Sequence, residues 1–179
     1  MIKRPWNKRK RLVLAILVAP LLIYVLNKSY YFDSVPFLPP VEIGQEISIR
    51  YNDFGSGEFG ASRKGGRTHM GLDIIAEVGT PVMAAKSGRV TIGEIPGGMG
   101  KFVRITHPDD LITVYGHLSK INVRDGQKVR QGQVIGGVGK TGNANHPSIK
   151  SHLHFEIRKD GKPVDPIKYL SRSKSEPLQ

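Results

Sequence analysis

Four of the six histidines in this 179-residue chain fall in three short islands. The first is HMGLD (His69 to Asp73), the second ends the run LITVYGHL at His117, and the third is HLHFE (His152 to Glu156). There is no cysteine, so disulfides and thiolate metal sites are excluded and any transition metal must be held by imidazole and carboxylate. In extended chain the side-chain period is two. That places His69, Gly71 and Asp73 on one face with Leu72 and Ile74 opposite, and His152, His154 and Glu156 on one face with Leu153, Phe155 and Ile157 opposite. The same period puts Thr113, Tyr115 and His117 together. Two imidazoles on one strand face are often a pair without a ligand, but catalytic zinc takes three nitrogen or oxygen donors and leaves a fourth position open. His69, Asp73 and His154 would supply three. His117 and His152 would remain to move a proton and stabilise an oxyanion.

The elements that must position these residues read as strands. From about Ile47 to Leu170 the chain consists of short β-branched runs, GRVTIGE, KFVRITH, LITVYGHL, QVIGGVG and HLHFEIR, separated by turn clusters such as IPGGMG, HPDD, VRDGQ and RKDGK. Helical periodicity is not sustained anywhere in this stretch. The expected fold is all-β, a compact antiparallel β-sheet sandwich, over residues 47–170.

Ahead of it, Leu12 to Leu26 reads LVLAILVAPLLIYVL, without a charge, preceded by a basic block (Lys3, Arg4, Lys8, Arg9, Lys10, Arg11) and followed by Tyr30, Tyr31 and Phe32. No small-x-small cleavage site follows, and a soluble helix would need a polar face that this run lacks. The expectation is one N-terminal transmembrane helix within residues 12–32, uncleaved, with the tail 1–11 in the cytoplasm and the domain outside. Residues 33–46, containing SVPFLPP, read as a stiff proline-containing spacer, and 171–179 as a disordered polar tail.

HMGLD, YGHL and HLHFE in this order resemble the lysostaphin-type, LytM-like zinc metalloendopeptidases, the β-lytic metallopeptidase family. The likeness also takes in FGASR (Phe59 to Arg63), GTPVMAAKSGRV (Gly79 to Val90), VRDGQKVRQGQVIGGVGKTG (Val123 to Gly142) and GKPVDPIKYL (Gly161 to Leu170), and so covers most of Phe59 to Leu170. It implies one Zn2+ per domain held by His69, Asp73 and His154, with His117 and His152 as the catalytic pair. It implies peptidoglycan peptides as substrate, either glycine bridges or D-alanyl–diaminopimelate crosslinks. The N-terminal anchor with its short spacer suits a Gram-negative inner membrane with the domain in the periplasm, a Gram-positive surface being the alternative. Two departures stand out. Gly100-Lys101 replaces a glycine-asparagine pair, and the longer loop NANHPSIKS precedes HLHFE. His146 in that loop is a candidate substrate contact, Tyr115 reads either as a substrate contact or as a packed strand tyrosine, and His107, before Pro108, reads as structural. Glu156 reads either as a hydrogen-bond partner of a ligand imidazole or as half of a surface ion pair.

The formal net charge of +12 raises nucleic acid as a partner. About half of the excess sits in the N-terminal basic block, and no RNA-recognition motif, zinc finger or basic helix accompanies it, so no nucleic-acid partner is expected. The glycine-punctuated VRDGQKVRQGQVIG has the look of a biotinyl or lipoyl carrier. Lys86 in MAAKSG is a poor modification site, however, and that reading leaves the histidines without a task. A catalytically silent relative that activates other wall hydrolases is the remaining rival.

Overall fold

The computed structural model describes residues 16, 18–25, 33–42 and 47–170. The chain divides into two units, 1–32 and 33–179. In the first, residues 16 and 18–25 are helical, and Leu21, Leu22, Ile23 and Tyr24 are exposed. Among the described residues no helix is long and apolar enough to cross a membrane. The basic tail 1–11, most of the remaining apolar run and the tail 171–179 lie outside the described residues.

The second unit is mostly β with few helices, built from antiparallel strands. A hairpin of β1 (Tyr51–Asn52) and β2 (Gly55–Ser56) leads into β3 (Leu72–Ile75). Then come β4 (Pro81–Met83), the long β5 (Gly88–Ile95) and β6 (Gly100–Thr106), β7 (Leu111–Gly116), β8 (Lys120–Ile121), β9 (Lys128–Val129), β10 (Val134–Gly137), β11 (His152–Lys159) and β12 (Lys162–Val164). A helical turn, Ile167–Leu170, follows. The larger sheet has the order β12-β11-β7-β6-β5-β9, with β3 also paired to β11; a three-stranded sheet has the order β4-β10-β8. Val82 and Ile135 of the small sheet join Val90, Val103, Ile105, Tyr115, Leu153, Phe155 and Ile157 of the large one in a single buried cluster. One face of the large sheet is thereby committed to the core, as the alternation of its sequence requires.

β11 is the central element for function because it is paired on both edges. Its N-terminal half pairs with β3 in the register His154↔Asp73, and its length pairs with β7 in the register His154↔Gly116. Directly opposed residues share a face. The antiparallel register therefore carries Asp73 and His154, 81 residues apart in the chain, to adjacent positions away from the core.

Residues 33–42, inside the stretch expected to be a spacer, are instead fastened to the domain. The Asp33 carboxylate accepts the Ser87 N–H at 3.1 and 3.2 Å, and Lys86 lies 3.7 Å from Asp33 and 3.1 Å from Asp109. Gln131 accepts the Ser34 N–H at 3.1 Å and donates to the carbonyls of Val35 (2.8 Å) and Ala85 (3.0 Å). The Leu38 N–H donates to the Ala85 carbonyl at 2.9 Å, and the Met83 N–H to that of Pro40 at 2.7 Å. Phe37 and Val41 are 3% and 1% exposed, with the Phe37 ring edge-on to Tyr169 at 5.2 Å. Proline stiffness, read in the sequence as stand-off, here holds an extended strap flat against the domain. What the sequence pattern did not reveal is that Phe37 and Val41 have a groove waiting for them. Lys86, held by two carboxylates and lying over the Phe37 ring, has a structural position that a carrier lysine could not occupy.

Loss of the Phe37 ring should therefore cost the domain about 3 kcal/mol. Urea unfolding of Phe37→Ala is the measurement, and a form beginning at residue 43 should likewise unfold at lower urea than one beginning at residue 33. Equal midpoints would reduce the strap to a surface ornament.

Candidate metal centre

His69 Nε2, Asp73 Oδ1 and His154 Nδ1 converge. The separations are 3.0 Å for His69–Asp73, 2.8 Å for His154–Asp73 and 3.1 Å for His69–His154. All three residues are buried, and among the described residues they form the one group of histidine and carboxylate side chains gathered closely enough to hold a metal ion. Donors around a tetrahedral zinc with bonds of ~2.0–2.1 Å stand roughly 3.3 Å apart, so two imidazoles and a carboxylate at these spacings fit that ion in both geometry and chemistry.

Each of these groups is oriented by a partner on its far side. His69 Nδ1–H donates to the Glu58 carbonyl at 2.8 Å, which leaves Nε2 as the lone-pair nitrogen. His154 Nε2–H donates to Glu156 Oε1 at 3.1 Å, and Glu156 Oε2 is gripped by Arg158 at 2.7 and 2.8 Å. Glu156 therefore serves the imidazole and the ion pair together, the two roles that the sequence left open. Asp73 Oδ2 accepts from Arg50 Nε at 3.1 Å and Nη2 at 2.9 Å, with Arg63 Nη2 at 3.5 Å. Arg50 is itself 5% exposed and also donates to Asn52 Oδ1 and the Gly55 carbonyl. Sequence reading missed Arg50. Its only signal is a charge between Ile49 and Tyr51 in the strand-like run ISIRY, which is unusual for a solvated arginine.

The backbone permits this crowding at Gly71. A Cβ there would stand 2.6 Å from the Phe155 carbonyl oxygen and 2.9 Å from both the Glu156 and His154 side chains. No residue but glycine lets the segment between His69 and Asp73 pass so close over β11.

His117 reaches the site by a route that strand alternation does not give. β7 ends at Gly116, and Tyr115 opposes Phe155 on the core face. Continuing the strand would send His117 to that same face, as the sequence suggested. Instead His117 adopts a left-handed φ of 60°, which turns its side chain over to the metal side. Its ring then lies 4.8 Å from that of His152 and 5.8 Å from that of His154, centroid to centroid. Tyr115 stays behind in the core. Its hydroxyl accepts the Ala85 N–H at 2.8 Å and lies 3.0 Å from Thr113 Oγ1, with burial pushing its pKa up, so it is not a substrate contact. His107 closes the same buried network, its Nδ1–H donating to the Ser87 carbonyl and its Nε2 lying 2.9 Å from Thr113 Oγ1.

His117 Nδ1–H donates to the Thr141 carbonyl at 2.9 Å, and His152 Nδ1–H to the Lys150 carbonyl at 2.8 Å. A carbonyl can only accept, so both rings carry the proton on Nδ1 and present Nε2. Thr141 is delivered to its place where the backbones of Gly142 and Gly100 touch. A Cβ on Gly142 would come 2.3 Å from Gly100 N, a distance no side chain can occupy. His146 lies at the rim, its ring 4.9 Å from that of Phe54.

Burial, joined by the nearby His152 and His154, pushes the His117 pKa down to about 3, and burial lowers His152 also. Both are neutral at neutral pH. His154 goes the other way. Burial alone would lower it, but the hydrogen bonds to Asp73 and Glu156 prevail and raise it to about 9. Burial disfavours the Asp73 carboxylate, but its bonds to His154 and His69 hold it well below the usual carboxylate range.

The model of peptidase family M23 matches residues 67–166, more than half of the chain. The chain belongs to peptidase family M23. This M23 chain is 44% identical over 101 residues to the DD-carboxypeptidase/endopeptidase Mpg of Neisseria meningitidis, covering 56% of this chain and 22% of that protein. It is 39% identical over 113 residues to the murein hydrolase activator NlpD of Escherichia coli, covering 63% of this chain and 28% of that protein. The catalytic domain of lysostaphin from Staphylococcus simulans superposes with a TM-score of 0.57 at 32% identity, over 70% of this chain and 99% of that domain. The chain thus spans less than a third of these two curated relatives, and nearly all of the lysostaphin domain.

The proton that joins His154 to Asp73 in the metal-free protein must leave before Nδ1 can bind a cation. A raised pKa means that this contact stabilises the metal-free domain fully below the ordinary value of 6.5 and ceases to do so as pH rises through about 9. Zinc affinity should rise about tenfold per pH unit from neutral pH towards 9 and then level off, measured by competition with a chromophoric chelator. A flat profile would show that His154 gives up no proton to the metal.

Proposed function

We propose that this M23 chain is a membrane-anchored zinc endopeptidase that hydrolyses peptide bonds of bacterial peptidoglycan. The observation that carries the reading is the complete five-residue set: three donors at mutual distances near 3 Å and two neutral imidazoles presenting Nε2 beside them. His69, Asp73 and His154 are assigned as ligands of one Zn2+. When bound, zinc lowers the pKa of water towards neutrality and polarises a carbonyl. His117 and His152 divide the proton work. Each is held by its Nδ1–H and left neutral by burial, so each has a lone pair directed into the site to take the proton of the attacking water and pass it to the leaving amine. A ring that has gained that proton becomes a donor for the developing oxyanion. Arg50 and Arg63 aim the Asp73 carboxylate, and Glu156 orients the His154 ring.

Membrane attachment rests on the uncharged run Leu12 to Leu26 after a basic block, and on the exposure of its described apolar side chains. A second reading, a silent activator of other wall hydrolases, draws on the name of the Escherichia coli relative. The filled ligand and histidine positions favour the enzyme.

His154→Ala should lose stoichiometric zinc by elemental analysis. His117→Ala and His152→Ala should retain it while turnover of purified wall falls by ~10²–10⁴, read from released muropeptides. Wild-type protein that binds zinc and releases no muropeptide would establish the activator instead. Attachment is tested on protein from its own host. Intact mass should include residues 1–26, and the protein should stay with membranes in high salt, because apolar burial is not screened. A mature N-terminus beyond Leu26 would make it a secreted enzyme.

A further inference from the structure

The face of the large sheet that carries His154 continues past the candidate metal centre, and the exposed charges it carries on β5 and β6 are Arg89 and Arg104. Register fixes which residues share that face. Glu156 of β11 opposes Val114 of β7, which opposes Arg104 of β6, which opposes Thr91 of β5. One pair further along, Arg158 opposes Ile112, which opposes Thr106, then Arg89, then Lys128 of β9. The carboxylates on this face are Asp73 and Glu156, and both are committed, one to Arg50 and the metal site, the other to His154 and Arg158. Arg89, Thr91, Arg104 and Thr106 are exposed, so no second layer covers them as the small sheet covers the opposite face. Arg158 is occupied with Glu156, Arg89 donates to the Gly126 carbonyl, and Lys128 has contacts of its own. Arg104 is the cation of this row best able to engage something from outside.

We propose that this open face is an anion-recognition surface through which the enzyme selects peptides bearing free carboxylates over neutral ones, with Arg104 as the principal specificity residue. The inference rests on the hydrolytic reading above and narrows its substrate. Strand spacing of ~4.8 Å and rise of ~3.4 Å put the Arg104 Cα roughly 12 Å and the Arg89 Cα roughly 20 Å from that of His154. A peptide with its scissile bond at the metal centre spans the first distance in about four residues, which is the scale of a wall stem peptide with its carboxylates. A glycine bridge has no charge to offer there. Exposed guanidinium groups and threonine hydroxyls on an open sheet face suit carboxylate recognition, since a guanidinium donates two parallel N–H bonds to one carboxylate.

The test uses the full chain in non-ionic detergent, zinc-loaded, with two probes: a crosslinked stem-peptide dimer with free carboxylates and the same dimer fully amidated. KM for the free-carboxylate dimer should be about tenfold lower than for its amidated twin, the low end for a charged hydrogen bond at an exposed site. Arg104→Gln should remove most of that ratio, Arg104→Lys should keep part of it, and Arg104→Glu should invert it. Equal KM values for the two dimers, or an Arg104→Gln effect of the same size on both, would overturn the proposal. Binding of fluorescein-labelled forms of both dimers to the zinc-loaded His117→Ala protein, by anisotropy at low and high salt, separates the two readings. A salt-sensitive preference lost in the Arg104→Gln background supports the surface even if no bond is cut by the wild type. Hydrolysis without any such preference upholds the peptidase and rejects the surface. Arg104-dependent binding to vesicles of anionic phospholipid, with no preference between the dimers, would also reject it and assign the face to the membrane.

Discussion

A buried carboxylate is the constraint around which the domain is organised. Asp73 is 3% exposed, and an ionised carboxylate so placed is costly unless every lone pair is engaged. Its two oxygens are used separately. Oδ2 faces the Arg50 and Arg63 guanidinium groups, and Oδ1 faces His69 and His154. Removing either side would leave a buried charge uncompensated. The β1–β2 hairpin region, the loop carrying His69 and the central strand β11 are thus tied to one another through a single side chain, and the candidate metal centre is the point where they meet.

The same logic extends outward. Each histidine of the site has one ring nitrogen pinned by a group that can only accept a hydrogen bond: the carbonyls of Glu58, Thr141 and Lys150, and the Glu156 carboxylate. The pinning selects a tautomer and leaves the other nitrogen to act. In the proposed hydrolysis, a site preorganised in this way would not have to reorient its dipoles, which is where electrostatic catalysis gains most. It also accounts for the local irregularities. The left-handed His117, the bare Gly71 and the Gly100–Gly142 contact are each needed to bring a nitrogen or a carbonyl to its station, and the strain of about 1–3 kcal/mol of a left-handed residue such as His117 persists only where surrounding packing imposes it.

Much of this was legible in the residues alone. The alternation in HLHFEI separates a histidine face from a core face because a strand has a period of two, and no tertiary fact is needed to see it. The absence of cysteine, the donor count in HMGLD and HLHFE, and the β-branched runs between glycine-rich turns follow equally from composition and spacing. These are local properties: side-chain chemistry, backbone propensity and periodicity.

The tertiary structure decided what depends on residues far apart in the chain. Register between β3 and β11 set which atoms of His69, Asp73 and His154 face one another. A single left-handed backbone conformation moved His117 off the face that periodicity assigned to it and left Tyr115 in the core. Arg50 became the partner of Asp73 because folding brought it there, and SVPFLPP became a docked strap because a groove beside Ala85 and Gln131 accepts Phe37 and its neighbours. A sequence states what each segment prefers by itself. Which surface will meet it is fixed only when the long-range contacts form, and those contacts outweigh a local preference of a kcal/mol or so.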